Sequence, residues 1–499
     1  MTTKITPPSR SGEPFASEPL IFEMGSPGRK AYSLPKCDVP EVEIATLLPP
    51  DEIRGPIEHF PELAELDVVR HFTRLSQLNF SIDTNFYPLG SCTMKYNPKI
   101  NEDMARLPGF SQHHPYAPEC FSQGSLQLMY ELQEYLQEIS GMKRVTLQPA
   151  AGAQGELAGM LMVHAYHADN GRQRTKVLLP DSAHGTNPSS ASLCGYSVQP
   201  IISDAEGLVD IGRLEALMDE DTAAIMITNP NTLGMFEKNI LRISEIVHKK
   251  GGLVYCDGAN LNALMGVSKI GDMGVDVLHF NLHKTFSTPH GGGGPGAGPV
   301  GVGKTLEPFL PIPIIERQKG QYVMLHDRPK SIGKVKAFFG NFGVLLRAYA
   351  YIRTLGPDGI RQACESAVLN ANYIKAGLKD VYCLPYPGPS LHECVFSDKE
   401  QAKQNVKTLD IAKMLIDHGF HPPTIYFPLI VKGALMIEPT ESESKETLDK
   451  FIQAMKEIAR QAEESPETCH DSPRHTKISR PDEARAARRP KLRWKKDST

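Results

Sequence analysis

Asp257 and Lys284 each stand just beyond a short apolar run: Leu253-Val254-Tyr255-Cys256 before the acid, Val277-Leu278-His279-Phe280 before the lysine. The 27-residue separation leaves room for one crossover between neighbouring parallel strands, so the pair is expected at two adjacent strand ends. An acid that keeps a pyridine nitrogen protonated, beside a lysine that forms a Schiff base, is the pair that pyridoxal phosphate (PLP) chemistry requires. Taken singly, a strand-end Asp is common and a lone Lys is a surface charge. The flanks shift the balance. His283 precedes the lysine, Thr285 follows it, and the glycine run at 291–294 lets backbone press against a ligand.

Other candidates fall at the ends of the remaining apolar runs. Gln148-Pro149-Ala150-Ala151-Gly152-Ala153-Gln154-Gly155-Glu156 puts small residues ahead of a helix, whose free N–H groups and dipole suit a phosphate. A plain strand–turn–helix junction explains the same string. His184 follows the run 176–179 and offers a flat ring for a cofactor face, although a lone histidine there is equally a structural one. Thr228, in Thr228-Asn229-Pro230-Asn231-Thr232, closes the next run and lines the same pocket.

Two literal motif matches are decoys. Residues 298–305 satisfy the phosphate-loop pattern of ATPases and residues 296–301 the dinucleotide fingerprint. Both motifs need an apolar strand before them and a helix directly after. Here a glycine-rich segment precedes, and Pro308, Pro311 and Pro313 forbid a continuing helix.

The elements that must position these residues alternate. Apolar runs at 176–179, 224–228, 253–256 and 277–280 are separated by segments with helical spacing, including 126–139 and 156–167. The pattern predicts a mainly parallel sheet with helices on both faces and ligands at the carboxyl ends of its strands. A helix at 341–354 leads into a smaller α+β region with a strand near 392–396 and helices at 409–418 and 445–462. The expected organisation is an extended proline-rich arm over 1–70, a large α/β domain over 71–350, a small α+β domain over 351–465 and a basic tail over 466–499. That arm reads as wrapping another surface. From 471 to 499 there are ten Lys+Arg against four Asp+Glu, with no aromatic interleaving beyond Trp494, so a solvated tail or an acidic docking partner is expected rather than nucleic acid.

Composition excludes broad classes. With 499 residues, 40% hydrophobic and 22% charged, the chain is neither disordered nor dominated by membrane spans. Residues 1–23 hold no apolar run and are not read as a secretory signal. Nine dispersed cysteines without a Cys-x-x-Cys pair argue for reduced thiols in a cytoplasmic protein, and no metal site is expected.

Several long strings go further. The strings at 85–95 (NFYPLGSCTMK), 181–188 (DSAHGTNP), 257–262 (DGANLN), 281–294 (NLHKTFSTPHGGGG) and 426–441 (YFPLIVKGALMIEPTE) resemble the glycine decarboxylase family, the P-protein of the glycine cleavage system, in the PLP-bearing subunit 2 of its two-subunit form. The resemblance runs from about residue 18 to the C-terminus. It implies a fold-type I, aspartate aminotransferase-like PLP enzyme whose large domain binds the cofactor. Lys284 would carry PLP, Asp257 would pair with the pyridinium nitrogen and His184 would stack on the ring. Asn260 would reach the phenolic oxygen. Ala151, Gly152 and Ala153 would hold the phosphate, helped by His283, with Thr228 beside them. Loops at 91–93 and 113–116 would frame the substrate end. The implied activity is glycine decarboxylation with transfer of the aminomethyl group to the lipoyl arm of the H-protein, that is, glycine dehydrogenase (aminomethyl-transferring). A homologous subunit 1 completes an implied α2β2 assembly. The rival readings are another fold-type I PLP enzyme on a small amino acid (an aminotransferase, a desulfurase using Cys92 or an aldolase-like enzyme) and a non-catalytic subunit that keeps the fold.

Overall fold

The computed structural model describes residues 18–291 and 296–495, so Gly292, Gly293 and Gly294 of the glycine run, the first 17 residues and the last four lie outside it. The chain divides into two units, Ile82–Ser472 and a smaller one formed by Met1–Ser81 with Pro473–Thr499.

The larger unit is built on seven strands: β1 (Arg144–Thr146), β2 (Lys176–Pro180), β3 (Ser197–Ile201), β4 (Thr222–Thr228), β5 (Leu253–Gly258), β6 (Val277–Phe280) and β7 (Val300–Val302). Their order across the sheet is β1-β7-β6-β5-β4-β2-β3. Strands β3, β2, β4, β5 and β6 run parallel, and β7 is antiparallel to both β6 and β1. Alternation sorts the side chains into two layers. Ile225, Ile227, Val254, Cys256, Leu278 and Phe280 pack against helices Gln123–Ser140 and Ile240–Lys249. Ala224, Met226, Leu253, Tyr255 and Val277 pack against helix Gly152–Asp169. Burial on both faces is why β4 and β5 read as near-continuous apolar runs.

Helix Gly152–Asp169 lies unusually close to the sheet. A Cβ on Gly159 would sit 2.6 Å from Tyr255 Cε2, and one on Gly155 would sit 2.7 Å from the Gly298 carbonyl oxygen. These two glycines set the depth of the residue next to them, Glu156.

The stretch 298–305 that mimics a phosphate loop is β7 followed by a turn and a 3-10 turn at Glu307–Phe309, so it offers neither a loop nor a helix N-terminus to a phosphate. Strands β1, β3 and β7 were not read in the sequence. Nor was the hairpin of β8 (Ile314–Gln318) and β9 (Gln321–Leu325). β1 and β7 have three residues each, and β3 is a largely exposed edge strand carrying Pro200. None shows a clear period-two pattern.

The helix after β9 spans Phe342–Leu378 but is interrupted at Gly356, whose φ of 62° is not helical. Gly356 ends one helix and Pro357 starts the next. The second half packs with helices Thr408–Asp417 and Lys445–Glu464 around a three-stranded antiparallel sheet of β10 (Cys394–Ser397), β11 (Thr424–Ile425) and β12 (Ala434–Ile437). The segment 85–95 is strapped to β12. Gly90 donates its N–H to the Met436 carbonyl (3.2 Å) and Glu438 donates to that of Pro88 (3.2 Å). The smaller unit holds helix Glu65–Ser76, where Glu18 accepts from Arg74 and lies 3.1 Å from His71, while Trp494 of the basic tail stacks on Phe22 at 5.4 Å. No helix among the described residues is long and apolar enough to cross a membrane.

One buried lysine joins the strap to the sheet. Lys95 Nζ reaches Glu441 Oε1 (2.7 Å), the Thr285 carbonyl (2.7 Å), Asn262 Oδ1 (3.0 Å) and Tyr351 OH (3.2 Å). Removing one partner of a buried pair strands the other charge. Lys95→Met is therefore expected to destabilise by about 3–5 kcal/mol, seen as a lowered Tm, and Glu441→Gln on that background to recover part of the loss. Equal Tm for Lys95→Met and wild type contradicts this account.

Candidate active site

The parallel register sets the floor of the site. Thr228 pairs with Asp257 across β4 and β5, and Asp257 with His279 across β5 and β6, so all three side chains share the sheet face beneath helix Gly152–Asp169. Asp257 is 1% exposed. Its Oδ1 accepts the N–H of Ala259 (2.9 Å), and with the Asn187 amide oriented to donate, Oδ2 accepts from Asn187 Nδ2 (3.1 Å). Burial works against its charge, but His279, His184, the Ala259 N–H and Lys284 outweigh it and hold its carboxyl below the usual range. His279 Nε2 lies 3.3 Å from Asp257, off the line of a hydrogen bond, and its Nδ1 meets the Tyr255 hydroxyl at 2.7 Å. Burial pushes His279 down to about 4, so it faces Asp257 as a neutral ring.

Above Asp257 sits a second carboxylate. Glu156, 2% exposed, accepts from Thr186 Oγ1 (2.6 Å), Ser190 Oγ (3.0 Å) and Asn187 Nδ2 (3.0 Å). Burial, then the charge of Asp257, pushes it up to about 7. His184 is held from below: its N–H donates to Thr228 Oγ1 (3.0 Å), and its Nδ1 lies 3.0 Å from Thr186 Oγ1. Burial lowers its pKa.

Lys284 sits in the turn that leaves β6, closed by its N–H to the Asn281 carbonyl (3.1 Å). It is 8% exposed, and among the described residues its amine makes no hydrogen bond or ion pair. Its charge acts on Glu156 and Asp257 on one side and on Glu393 and Glu438 on the other. His283, next to it, is half-buried beside His290 with ring centroids 5.1 Å apart, and its Nδ1 takes a long contact from the Ala297 N–H (3.4 Å). Burial, then His290, pushes His283 down to about 3.

The turn before helix Gly152–Asp169 fits an anion. Ala151 enters the helix in extended backbone with no side-chain cap, so the N–H groups of Gly152 and Ala153 have no partner from a preceding turn. Asn281 Oδ1, buried beside them, is unpartnered, and a Cβ on Gly152 would fall 2.5 Å from it. A capless helix start, an unpartnered buried lysine and a charged strand-end acid are the donor set that PLP needs, and the residues present fit that group.

The opposite wall comes from the strapped segment. Glu393 and Glu438 lie one step beyond the Cys394–Ile437 pair of β10 and β12, and both are buried. Thr93 donates to Glu438 through its N–H (3.0 Å) and Oγ1 (2.8 Å), Asn260 donates to Glu438 Oε1 (2.7 Å) and to Thr93 Oγ1, and Ser91 N–H donates to Glu393 Oε2 (2.8 Å). Burial and mutual repulsion push Glu393 well up, and burial pushes Glu438 up to about 7.

The structure therefore brings Lys284, Asp257, His184, Thr228, Gly152, Asn260 and the 91–93 loop into one neighbourhood, with His283 behind the lysine and Ala151 and Ala153 at the helix start. The amide of Asn260 is engaged by Glu438 and Thr93. The 113–116 loop lies elsewhere. His113 bonds Ser122 (2.7 Å) and lines an apolar cavity of about 360 Å³ with Phe110, Met129, Phe339 and Leu346. The roles of Glu156, Asn187, His279, Glu393 and Glu438 were not read from the sequence. Asn187 and Glu438 stand inside strings already singled out, but their partners are set by register and strapping.

The sheet, the lysine turn and the capless helix define a fold-type I PLP enzyme. A family model for aminotransferase class-V matches residues 156–293. A solved glycine decarboxylase (P-protein) of the glycine cleavage system, in inhibitor-bound form, superposes with a TM-score of 0.72 at 21% identity, covering 83% of this chain and 94% of that one. A cysteine desulfurase from Thermococcus onnurineus superposes at 0.59 and 17%, covering 77% and 98%. At these identities the likeness shows the fold. Sequence narrows it. A model for the glycine dehydrogenase C-terminal domain matches residues 363–478. Relatives from Bacillus licheniformis and Halalkalibacterium halodurans, each named "probable glycine dehydrogenase (decarboxylating) subunit 2", are 56% and 57% identical over 96% of this chain and 99% and 98% of their own. The chain belongs to the glycine dehydrogenase (decarboxylating) subunit 2 family.

A carboxyl raised in the folded state binds its proton on folding, so its stabilising effect is complete below the ordinary value near 4.5 and is lost as pH rises through about 7. Glu438→Gln cannot titrate. In ligand-free protein its Tm relative to wild type is expected to climb from pH 5 to pH 8; a constant difference across that range contradicts a raised Glu438.

Proposed function

We propose that this chain binds PLP at Lys284 and decarboxylates glycine, releasing CO2 and passing the aminomethyl group to the lipoyl arm of a separate H-protein. The observation that carries the reading is a buried lysine without a partner among the described residues, set between a charged Asp257 and a raised Glu393–Glu438 pair, in a chain more than half identical to relatives of that name. Bound PLP supplies an electron sink for the electron pair left when CO2 departs.

The chain's own residues do the rest. Asp257, held ionised, would keep a ring nitrogen protonated. His184, anchored by Thr228 and Thr186, would stack on the ring. The N–H groups of Ala151, Gly152 and Ala153 would hold the phosphate, with His283 behind the lysine as a helper. Asn260, now bonded to Glu438 and Thr93, would serve the phenolic oxygen. The raised carboxyls of Glu393 and Glu438 keep the substrate end from repelling glycine's own carboxylate, since a protonated carboxyl donates where an ionised one repels.

The name "subunit 2" of these relatives supports a homologous subunit 1 as partner; the α2β2 assembly is our proposal. Nine free cysteines, five of them buried, fit a cytoplasmic protein. A desulfurase reading needs an activated thiol. Burial pushes the Cys92 thiol up, the wrong direction for a nucleophile.

Labelled bicarbonate should exchange into glycine when the protein, PLP, a lipoylated carrier and subunit 1 are combined. Lys284→Ala should abolish this exchange and the yellow colour of the bound cofactor. Asp257→Ala should lower exchange by several orders of magnitude; a fall of less than about tenfold, roughly 1.4 kcal/mol, excludes the ring-nitrogen role. Colour without exchange under any condition retains PLP and overturns glycine as the substrate.

A further inference from the structure

The reading of this site as a PLP pocket leaves Glu156 without a role, yet its three hydrogen bonds lead to both residues expected against the cofactor ring. Thr186 Oγ1 bridges Glu156 Oε1 (2.6 Å) and His184 Nδ1 (3.0 Å). Asn187 Nδ2 bridges Glu156 Oε2 (3.0 Å) and Asp257 Oδ2 (3.1 Å). Resting on that reading, we infer that Glu156 is a positioning residue: one buried carboxylate that ties the His184 ring to the Asp257 carboxyl and fixes the proton of His184 on Nδ1.

The donor count gives the direction. An ionised carboxylate only accepts, and a threonine hydroxyl has one hydrogen. Above its raised pKa of about 7 Glu156 is ionised and takes that hydrogen, so Thr186 Oγ1 faces His184 as an acceptor and the imidazole carries its proton on Nδ1. His184 Nε2 is then left bare as an acceptor. On the other arm, the two hydrogens of Asn187 Nδ2 are divided between Glu156 and Asp257, which orients Oδ2 of the acid. Both arms are short; the Asn187 arm joins residues that are almost fully buried, whereas Thr186 in the other arm is exposed. A protonated Glu156 would reverse the first arm. Its O–H would donate to Thr186, Thr186 would donate to Nδ1, and the histidine proton would move to Nε2. The groups facing this carboxylate are Asp257 on β5, His279 on β6 and Lys284 in the turn after β6. Tyr255, also on β5, lies behind His279.

Gly155 and Gly159 bring the helix of Glu156 against the sheet at the depth where the carboxylate meets Asn187 and Thr186.

The test uses two variants and two readouts. Histidine-labelled nitrogen NMR of the ligand-free protein, recorded well above the raised Glu156 pKa of about 7 and with the His184 signal assigned by its loss in His184→Gln, is expected to show the Nδ1–H tautomer in wild type. Thr186→Val, a near-isosteric change at an exposed position, cuts only the His184 arm, and Glu156→Met cuts both. In both variants the His184 signal is expected to leave the Nδ1–H state. The Kd for PLP added to ligand-free protein is expected to rise about tenfold or more in Glu156→Met and by less in Thr186→Val, because only the first also frees Asp257. His184 holding its proton on Nε2 in wild type overturns the inference, as does an unchanged signal in Thr186→Val. Should Glu156→Met fail to fold, the tautomer in wild type and Thr186→Val decides. A wild-type protein that takes up no PLP overturns the cofactor reading and leaves the tautomer result standing.

Discussion

A carboxylate at the end of a central strand, shut away from water on all sides, must be kept charged by its surroundings, and much of this site follows from how that is done for Asp257. Among the described residues no lysine or arginine forms a salt bridge with it, and His279 Nε2 stands 3.3 Å away. Its charge is held by a backbone N–H, by one hydrogen of Asn187, by a neutral imidazole edge and by the field of Lys284. Each support comes from a different element: the turn after β5, helix Asn187–Leu193, β6 and the turn beyond it. The parallel sheet is what lets four elements converge at one point, because its strand ends all open on the same side.

The electrostatic plan is asymmetric about Lys284. On the sheet side Asp257 lies below the ordinary carboxylate range. On the side of β10 and β12, Glu393 and Glu438 lie above it, since two buried acids side by side cannot both ionise. One lysine thus separates an anion suited to a cationic ring nitrogen from acids of raised pKa suited to the neighbourhood of a substrate carboxylate. Pairs of titratable groups driven apart in this way mark sites where protons are handled. The strap at 85–95 makes the second wall possible, and the Lys95–Glu441 pair holds the strap down.

Structural neighbours with unlike activities share the scaffold, so the sheet and lysine do not choose the reaction. The wall facing Lys284 across the site is built from the strapped loop and the C-terminal sheet, and much of it lies within two of the strings that resemble this family, at 85–95 and 426–441. The fold supplies a place to hold a cofactor ring, and this wall gives the pocket its own donors and acids.

The sequence by itself determined the strand–helix alternation, the strand-end positions of Asp257 and Lys284, the small-residue turn before Gly152 and the falseness of the phosphate-loop match at 298–305. These are local matters: an apolar run, a glycine or a proline acts within a few residues of itself. The tertiary structure alone decided that Thr228, Asp257 and His279 stand in one row, because register is a property of paired strands and not of any one run. It alone set Glu156 over Asp257, since two glycines in one helix have meaning only against Tyr255 and Gly298. It alone placed Glu393 beside Glu438 and Thr93, residues up to 345 positions apart, and made a strand of 300–302, whose three residues gain their pairing from neighbours on both sides. Chemistry carried by residue type was legible in the chain, whereas chemistry that depends on which charge lies beside which had to await the fold.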